Sequence, residues 1–282
     1  MRVAFLGPEG TFSEEALFAA AGHDGIEAVP LPTIYECVAA VNDGRCDRAL
    51  VPIENSLEGS VNATLDALVF ETDDVQIVGE VVHPITHTLI AKTKLPLERI
   101  ERVLSHPQAS GQCARFLREQ LAQAEVMGAQ STADAVRIVA ETDRPWAALG
   151  NHISAELYGC EVLAERVEDT PENETRFVWL ERSAGLESVE LPADRASSFK
   201  TSVVFWGLPD HPGALVDVLQ EFATRKINLS KIESRPRKQG LGRYVFFADL
   251  AGRADDPPVV DALEAVGGAV ETLRVLGCYP SA

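Results

Sequence analysis

Cationic side chains are in short supply in this chain of 282 residues: 25 Lys and Arg stand against 43 Asp and Glu, a formal net charge of −18. Such a field disfavours nucleic acid and anionic membranes, both of which need a basic footprint. It leaves room for a small anionic ligand, because a helix N-terminus or a single Arg acts locally against a distant field. Cysteine is sparse too. Cys37, Cys46, Cys113, Cys160 and Cys278 are scattered, odd in number and without a CxxC pair. That pattern fits reduced thiols better than a disulfide framework or a zinc site. No apolar run approaches the roughly 18 residues of a membrane span, and the apolar core of "MRVAFLGPEG" is too short for a signal peptide. The expectation is a cytoplasmic protein, in which the sequons at Asn62, Asn173 and Asn228 are chance matches.

Several catalytic signatures are missing as well. "GPEGTFS" (7–13) has only Gly7 and Gly10 and no following Lys-Ser/Thr, so it is neither a dinucleotide fingerprint nor a P-loop. There is no G-x-S-x-G elbow. Ser105 and His106 are adjacent, and neighbours on a strand point to opposite faces, so they do not make a triad. His83 and His87 are four apart but in an extended stretch, a weak pattern for metal ligation.

What is present is alternation. "RVAFL", "RALVPIE", "RVLSH", "AEVMG" and "WAALG" read as strands between helical patterns. Examples are "TIYECVAAVNDG", with a Thr33-x-x-Glu36 capping box and a Gly44 stop, and "SVNATLDALVF", capped by Ser60. One helix is expected to open near Ser13 and another to run from about 110 to 121. "VQIVGEVVHPITHTLIAK" is β-branched over a long stretch and suggests extended chain crossing between lobes. This is an α/β pattern with a parallel or mixed sheet. "ERSAGLESVELPADRASS" then reads as a linker, followed by a βαββαβ order typical of a ferredoxin-like unit.

Three strand-to-helix loops are dense in neutral polar groups: "GPEGTFS", "VPIENSLEGSVNATLD" and "LSHPQASGQC". Each is poor in metal ligands and suits a pocket that positions a small anion with amides and hydroxyls. Such loops serve an enzyme and a solute-binding protein equally well. In "ENETRFVWL", Thr175 and Arg176 separate a carboxylate run from an apolar strand, which on local grounds reads as a strand entry.

Taken in order, "GPEGTFSEEA", "VPIENSLEGSVNATLD", "SHPQASGQCARFL", "STADAVRIVA", "AALGNHISAELYG" and "ENETRFVWL", with "PGALVDVL" and "IESRP" in the C-terminal unit, resemble the monofunctional prephenate dehydratase family end to end. The resemblance implies a two-lobed catalytic domain like a type II periplasmic binding protein over residues 1–182, a linker over 183–199 and an ACT regulatory domain over 200–282. It implies decarboxylating dehydration of prephenate to phenylpyruvate, without cofactor or metal, in a cleft between the lobes. By motif position, Thr175, Asn55, Ser105 and Gln112 fall on catalytic positions; Thr175 would either donate a proton or orient the leaving group. Thr11, Ser13, Ser56, Ser60, Arg176 and Phe177 fall on substrate-pocket positions, with Arg176 divided between a substrate carboxylate and the scaffold. The resemblance further implies L-phenylalanine bound at an ACT dimer interface. His211, Pro212, Gly213, Ala214 and Leu215 of one subunit would face Asn228, Leu229, Glu233, Ser234 and Arg235 of its mate, in a homodimer or homotetramer. Arogenate dehydration and a non-catalytic amino-acid sensor are the competing readings.

Overall fold

The computed structural model describes residues 1–183 and 198–282, so most of the expected linker lies outside the described residues. The short apolar runs pair into three sheets. The first lobe opens with β1 (Arg2–Leu6), α1 (Phe12–Ala21), β2 (Glu27–Leu31), α2 (Ile34–Asn42) and β3 (Arg48–Asn55). It continues through β4 (Gly59–Ser60), α3 (Asn62–Phe70) and β5 (Val75–Pro84). The capping expectation for α2 holds at its first half: Thr33 Oγ1 accepts from the Glu36 amide at 3.1 Å. α1 begins one residue earlier than expected, with Thr11 rather than Ser13 at the cap, and α3 is capped by Val61, not Ser60.

The chain then crosses. β6 (Thr88–Ala91), β7 (Arg102–Ser105), α4 (Pro107–Gln112), α5 (Ala114–Gln120) and β8 (Glu125–Gly128) begin the second lobe. α6 (Thr132–Ala140), β9 (Trp146–Gly150), α7 (His152–Leu157) and β10 (Glu161–Ala164) complete it. The helix expected from 110 to 121 is two helices, because the backbone leaves α-geometry at Cys113. β11 (Glu174–Arg182) returns to the first lobe and enters its sheet antiparallel, in the order β2-β1-β3-β11-β5. The stretch read as a lobe crossing is thus divided between β5 in one sheet and β6 in the other.

The C-terminal unit has the expected order: β12 (Phe199–Trp206), α8 (Ala214–Thr224), β13 (Leu229–Pro236), β14 (Tyr244–Ala251), α9 (Pro257–Ala269) and β15 (Thr272–Pro280). Its sheet, ordered β13-β14-β12-β15, carries two faces. One packs Phe205, Ala248 and Leu250 against Val218, Phe222, Val259 and Val266 of the two helices. The other sends Val245, Phe247, Leu276 and Tyr279 into the core of the first lobe, beside Ile77, Val178 and Leu180. Alternation along β14 is what allows both.

The docking is close. A Cβ added to Gly277 would stand 2.1 Å from the carbonyl oxygen of Ile77 on β5, whereas one added to Gly268 meets nothing within 4 Å. Gly277→Val is therefore expected to lower stability by about 1–3 kcal/mol through overpacking. Gly268→Ala, inside α9, should leave it unchanged or raise it by about 0.5–1 kcal/mol by relieving helix entropy. Thermal unfolding of both variants checks the pair; equal melting temperatures would contradict the packing account.

Candidate active site

Two segments connect the lobes, and they touch: the Ile85 amide donates to the Asn173 carbonyl at 2.8 Å. Between the lobes lies a cavity of about 460 Å³. Its first-lobe wall includes Thr11, Phe12, Ser13, Asn55, Thr175 and Phe177; its second-lobe wall includes His106, Gln108, Gln112, Gln130, Ser131 and Thr132. Ile85, His87 and Asn173 come from the connecting segments. No Lys, Arg, Asp or Glu is among the described residues that line it. The start of α1 faces it from one lobe and the start of α6 from the other. First-turn N–H groups have no acceptor within their own helix, so each start offers donors and a partial positive charge.

A hydrogen-bonded chain crosses the floor. Thr175 on β11 lies directly opposite Asn55 on β3, and Asn55 Nδ2 donates to Thr175 Oγ1 at 2.9 Å and to Asn173 Oδ1 at 2.9 Å. The orientation of the Asn55 amide is fixed from behind, because its Oδ1 accepts the Leu57 and Glu58 amides at 3.0 Å each. Thr175 accepts, so its own hydroxyl hydrogen is free to donate. Asn173 Nδ2 donates to Gln112 Oε1 at 3.0 Å, and His87 Nε2 meets the same oxygen at 3.0 Å. An oxygen already accepting from Asn173 requires His87 to carry its hydrogen on Nε2, which leaves Nδ1 a buried acceptor without a partner among the described residues. Asn55, Asn173, Thr175 and His87 are all buried. The chain therefore fixes the Thr175 oxygen from both lobes.

Burial pushes the His87 pKa down, against the opposing effects of its Gln112 hydrogen bond and the charge of Glu168. His87 is neutral where a free histidine is charged. The Phe12 ring meets it edge-on with centroids 5.3 Å apart, which ties the start of α1 to the crossing segment.

Other expected site residues stand elsewhere. Ser105 is fully buried and donates to the Leu149 carbonyl at 3.3 Å, within the second lobe and off the cavity wall. Ser56 braces the start of β11 by accepting the Glu174 amide at 3.0 Å. Ser60 turns toward the C-terminal unit, where it meets Lys231 Nζ at 2.7 Å and Glu233 Oε2 at 3.1 Å. Arg176 faces away from the cavity, as the strand pleat requires of the residue after Thr175. It pairs with Glu54, Glu80 and Asp249 at 3.3, 3.1 and 2.8 Å. His87 and Asn173 were missed as site residues. The first read only as a weak metal pattern and the second only as a sequon; Gln112, where they meet, lies 25 residues from His87 and 61 from Asn173, so the meeting carries no local signal.

A second cavity, of about 920 Å³, opens in the C-terminal unit against His211, Gly213, Ala214 and Leu215, with Asp210, Glu271, Arg237 and Arg243 on its walls. Its charged groups are of both signs, and two of them, Arg237 and Glu271, pair with each other at 3.0 Å. The expected second half of the effector site belongs to a partner subunit, and within this chain its residues lie elsewhere. Glu233 and Arg235 turn to the first lobe, onto Ser60 and Asp66, the Asn228 carbonyl accepts from Ala251, Leu229 packs on the unit's own core and Ser234 is exposed. Pro212 lies in the turn but not on the cavity wall.

The fold and cavity define a two-lobed α/β protein with a polar cleft lined by no Lys, Arg, Asp or Glu among the described residues, and a ferredoxin-like unit docked on one lobe. Residues 3–185 match the prephenate dehydratase family and residues 201–268 the ACT domain family. A prephenate dehydratase of Lactococcus lactis subsp. cremoris is 38% identical over 282 residues, covering 99% of this chain and 97% of that protein. A bifunctional chorismate mutase/prephenate dehydratase of Stutzerimonas stutzeri is 39% identical over 282 residues, covering 100% of this chain and 74% of that protein. The crystal structure of a prephenate dehydratase from Arthrobacter aurescens in complex with L-Phe superposes with a TM-score of 0.90 at 38% identity, covering 99% of this chain and 90% of that one. The chain belongs to the prephenate dehydratase family.

A buried neutral His87 has a stability consequence. Its folded pKa lies below the ordinary value of 6.5, so below that pH the unfolded chain binds a proton the folded chain does not. Its contribution is complete above pH 6.5 and declines as pH falls, by at most about 1.4 kcal/mol per pH unit. His87→Gln, which keeps a donor toward Gln112, should flatten this acid-side slope in denaturant titrations between pH 7 and 5. An unchanged slope would contradict the assignment.

Proposed function

We propose that this chain converts prephenate to phenylpyruvate, carbon dioxide and water, under inhibition by L-phenylalanine at its ACT domain. The observation that carries the reading is the Thr175 hydroxyl, oriented by Asn55 on the floor of a cavity whose described lining holds no Lys, Arg, Asp or Glu. In the reaction the electron pair of the ring C–CO2 bond moves into the ring as it aromatises. The C–O bond at the opposite carbon breaks, and the departing oxygen takes a proton and leaves as water. Thr175 donates a hydrogen bond to that oxygen, and Asn55 holds its direction. The role combines leaving-group orientation with a proton relay in which Thr175 passes its hydrogen to the departing oxygen and takes one from solvent water in exchange; a free threonine is too weak an acid to act unassisted.

The remaining carboxylate of the substrate is met by amides at the starts of α1 and α6. The ring carboxylate loses its charge as it becomes CO2, and the apolar wall of Ile34, Pro52, Val61 and Phe177 suits that loss. The cavity also speaks to the arogenate alternative. Arogenate brings an ammonium group, and no described carboxylate lines the cavity to receive it. Prephenate kcat/KM should exceed that of arogenate by about 10-fold or more, as expected when a charged group is left without its partner. The ACT cavity, with charges of both signs, suits an amino acid effector, and a partner subunit in a homodimer would supply its second wall.

Thr175→Val keeps the shape and leaves Asn55 Nδ2 its acceptors on Asn173 and Glu174. It should lower kcat by about 10²–10⁴-fold, the range for a lost proton-transfer group, with an unchanged melting temperature. Near-normal kcat in this variant, or no phenylpyruvate from prephenate with the wild type, would refute the reading. L-Phenylalanine should reduce wild-type turnover; indifference would remove its regulatory half.

A further inference from the structure

Thr175 and Asn55 are joined to the C-terminal unit through the residues beside them. On β3 and β11 the register pairs Thr175 with Asn55 and Arg176 with Glu54. The first pair faces the cavity, and the second faces the sheet of the ACT domain. We propose that the cluster in which Arg176 meets buried Glu80 and Asp249 and partly exposed Glu54 is the joint through which the state of the ACT domain reaches Thr175 and Asn55. This rests on the reading that L-phenylalanine acts at the ACT cavity.

Three neighbouring ACT strands bring a charge to this place. Asp249 on β14 pairs with Arg176 at 2.8 Å, Lys231 on β13 with Glu54 at 3.3 Å, and Lys200 on β12 with Glu80 at 2.8 Å. Asp249 is itself held by Ser202 Oγ at 2.6 Å, which also meets the Tyr279 hydroxyl at 2.7 Å. The side chains of Arg176, Glu80 and Asp249 are 11%, 2% and 8% exposed, so solvent does little to screen them. Charges this deeply buried tolerate little separation from their partners. A slide of the ACT sheet over the first lobe must therefore carry Arg176 with it, and Thr175 is the next residue on the same strand.

The cluster is also poised rather than settled. Arg176 Nη1 donates to Glu80 Oε2 at 3.1 Å, but its Nε and Nη2 and Asp249 Oδ2 are buried without a hydrogen-bond partner among the described residues, although Arg176 lies within ion-pair distance of three carboxylates. Good charge proximity with poor donor alignment describes a joint that a small displacement would realign. The route from the effector cavity is short. Phe246 and Tyr244 on β14 line that cavity, and Asp249 lies three residues beyond Phe246 on the same strand, about 10 Å away. This gives a physical element that both sites bias, rather than mere position between them.

The test uses the full-length protein with Asp249→Asn and, separately, Lys231→Met, neither of which touches the cavity. Each variant is checked by thermal unfolding, by calorimetric titration with L-phenylalanine, and by prephenate turnover with and without the effector. The expected result is binding within about 3-fold of wild type and uninhibited kcat within about 3-fold, but half-inhibition needing at least about 10-fold more L-phenylalanine, or lost altogether, within the usual range of coupling factors. Hydrogen exchange at residues 174–178 should respond to L-phenylalanine in the wild type and not in Asp249→Asn. If Asp249→Asn does not fold, Lys231→Met decides. Wild-type inhibition retained in the folded variants would overturn the joint while leaving the effector reading intact. Inhibition lost because binding is lost would also overturn it. A wild type that neither binds nor responds to L-phenylalanine would refute the effector reading, and the joint with it.

Discussion

The hydrogen-bonded seat of β11 between β3 and β5 is the constraint from which the rest follows. A strand that leaves the second lobe and enters the first lobe's sheet antiparallel fixes where the connecting segments cross, and so where the cleft opens. It also sets the pleat. Alternate residues look toward the cleft and toward the ACT sheet, so Thr175 and Arg176, one bond apart, serve different neighbours. Buried hydrogen bonds on one side and buried ion pairs on the other hold that strand in place.

Charge is distributed to match these two surroundings. The chain carries a net −18, yet no Lys, Arg, Asp or Glu is among the described residues that line the cavity between the lobes. In the proposed reading, helix starts and neutral donors hold the side-chain carboxylate, while the ring carboxylate, which becomes neutral CO2, faces an apolar wall. A lysine or arginine against the ring carboxylate would stabilise it before decarboxylation more than after it, and so raise the barrier. In the same reading the ACT cavity needs no such restraint, because an effector would be released unchanged, and its walls carry both signs.

Much of this was legible in the sequence. The capping Thr33, the alternation of apolar runs and helices, the βαββαβ order and three polar loops are local patterns, and the structure keeps them with shifts of a residue or two. Arg176 was not legible, because an Arg beside a threonine at a strand entry suits a substrate carboxylate until the register shows which face it takes. Ser105 and Ser60 failed for the same reason: a hydroxyl in a polar loop does not reveal whether it faces a cavity, a neighbouring strand or another domain. Glu233 and Arg235 are drawn to Ser60 and Asp66 by a docking surface that exists only once both units are folded. His87 and Asn173 gain their roles from meeting at Gln112, a contact that depends on the two crossings between the lobes.

In the proposed reading this cleft holds an anionic substrate without a lysine or arginine, with its reactive oxygen directed at residue 175. A crystal structure of the Thr175→Val protein with prephenate tests it most directly. The account predicts the side-chain carboxylate on main-chain N–H groups at the start of α1 or α6, with the ring hydroxyl beside residue 175. A carboxylate bound to Arg176, or to any lysine or arginine brought into the cleft, would contradict it.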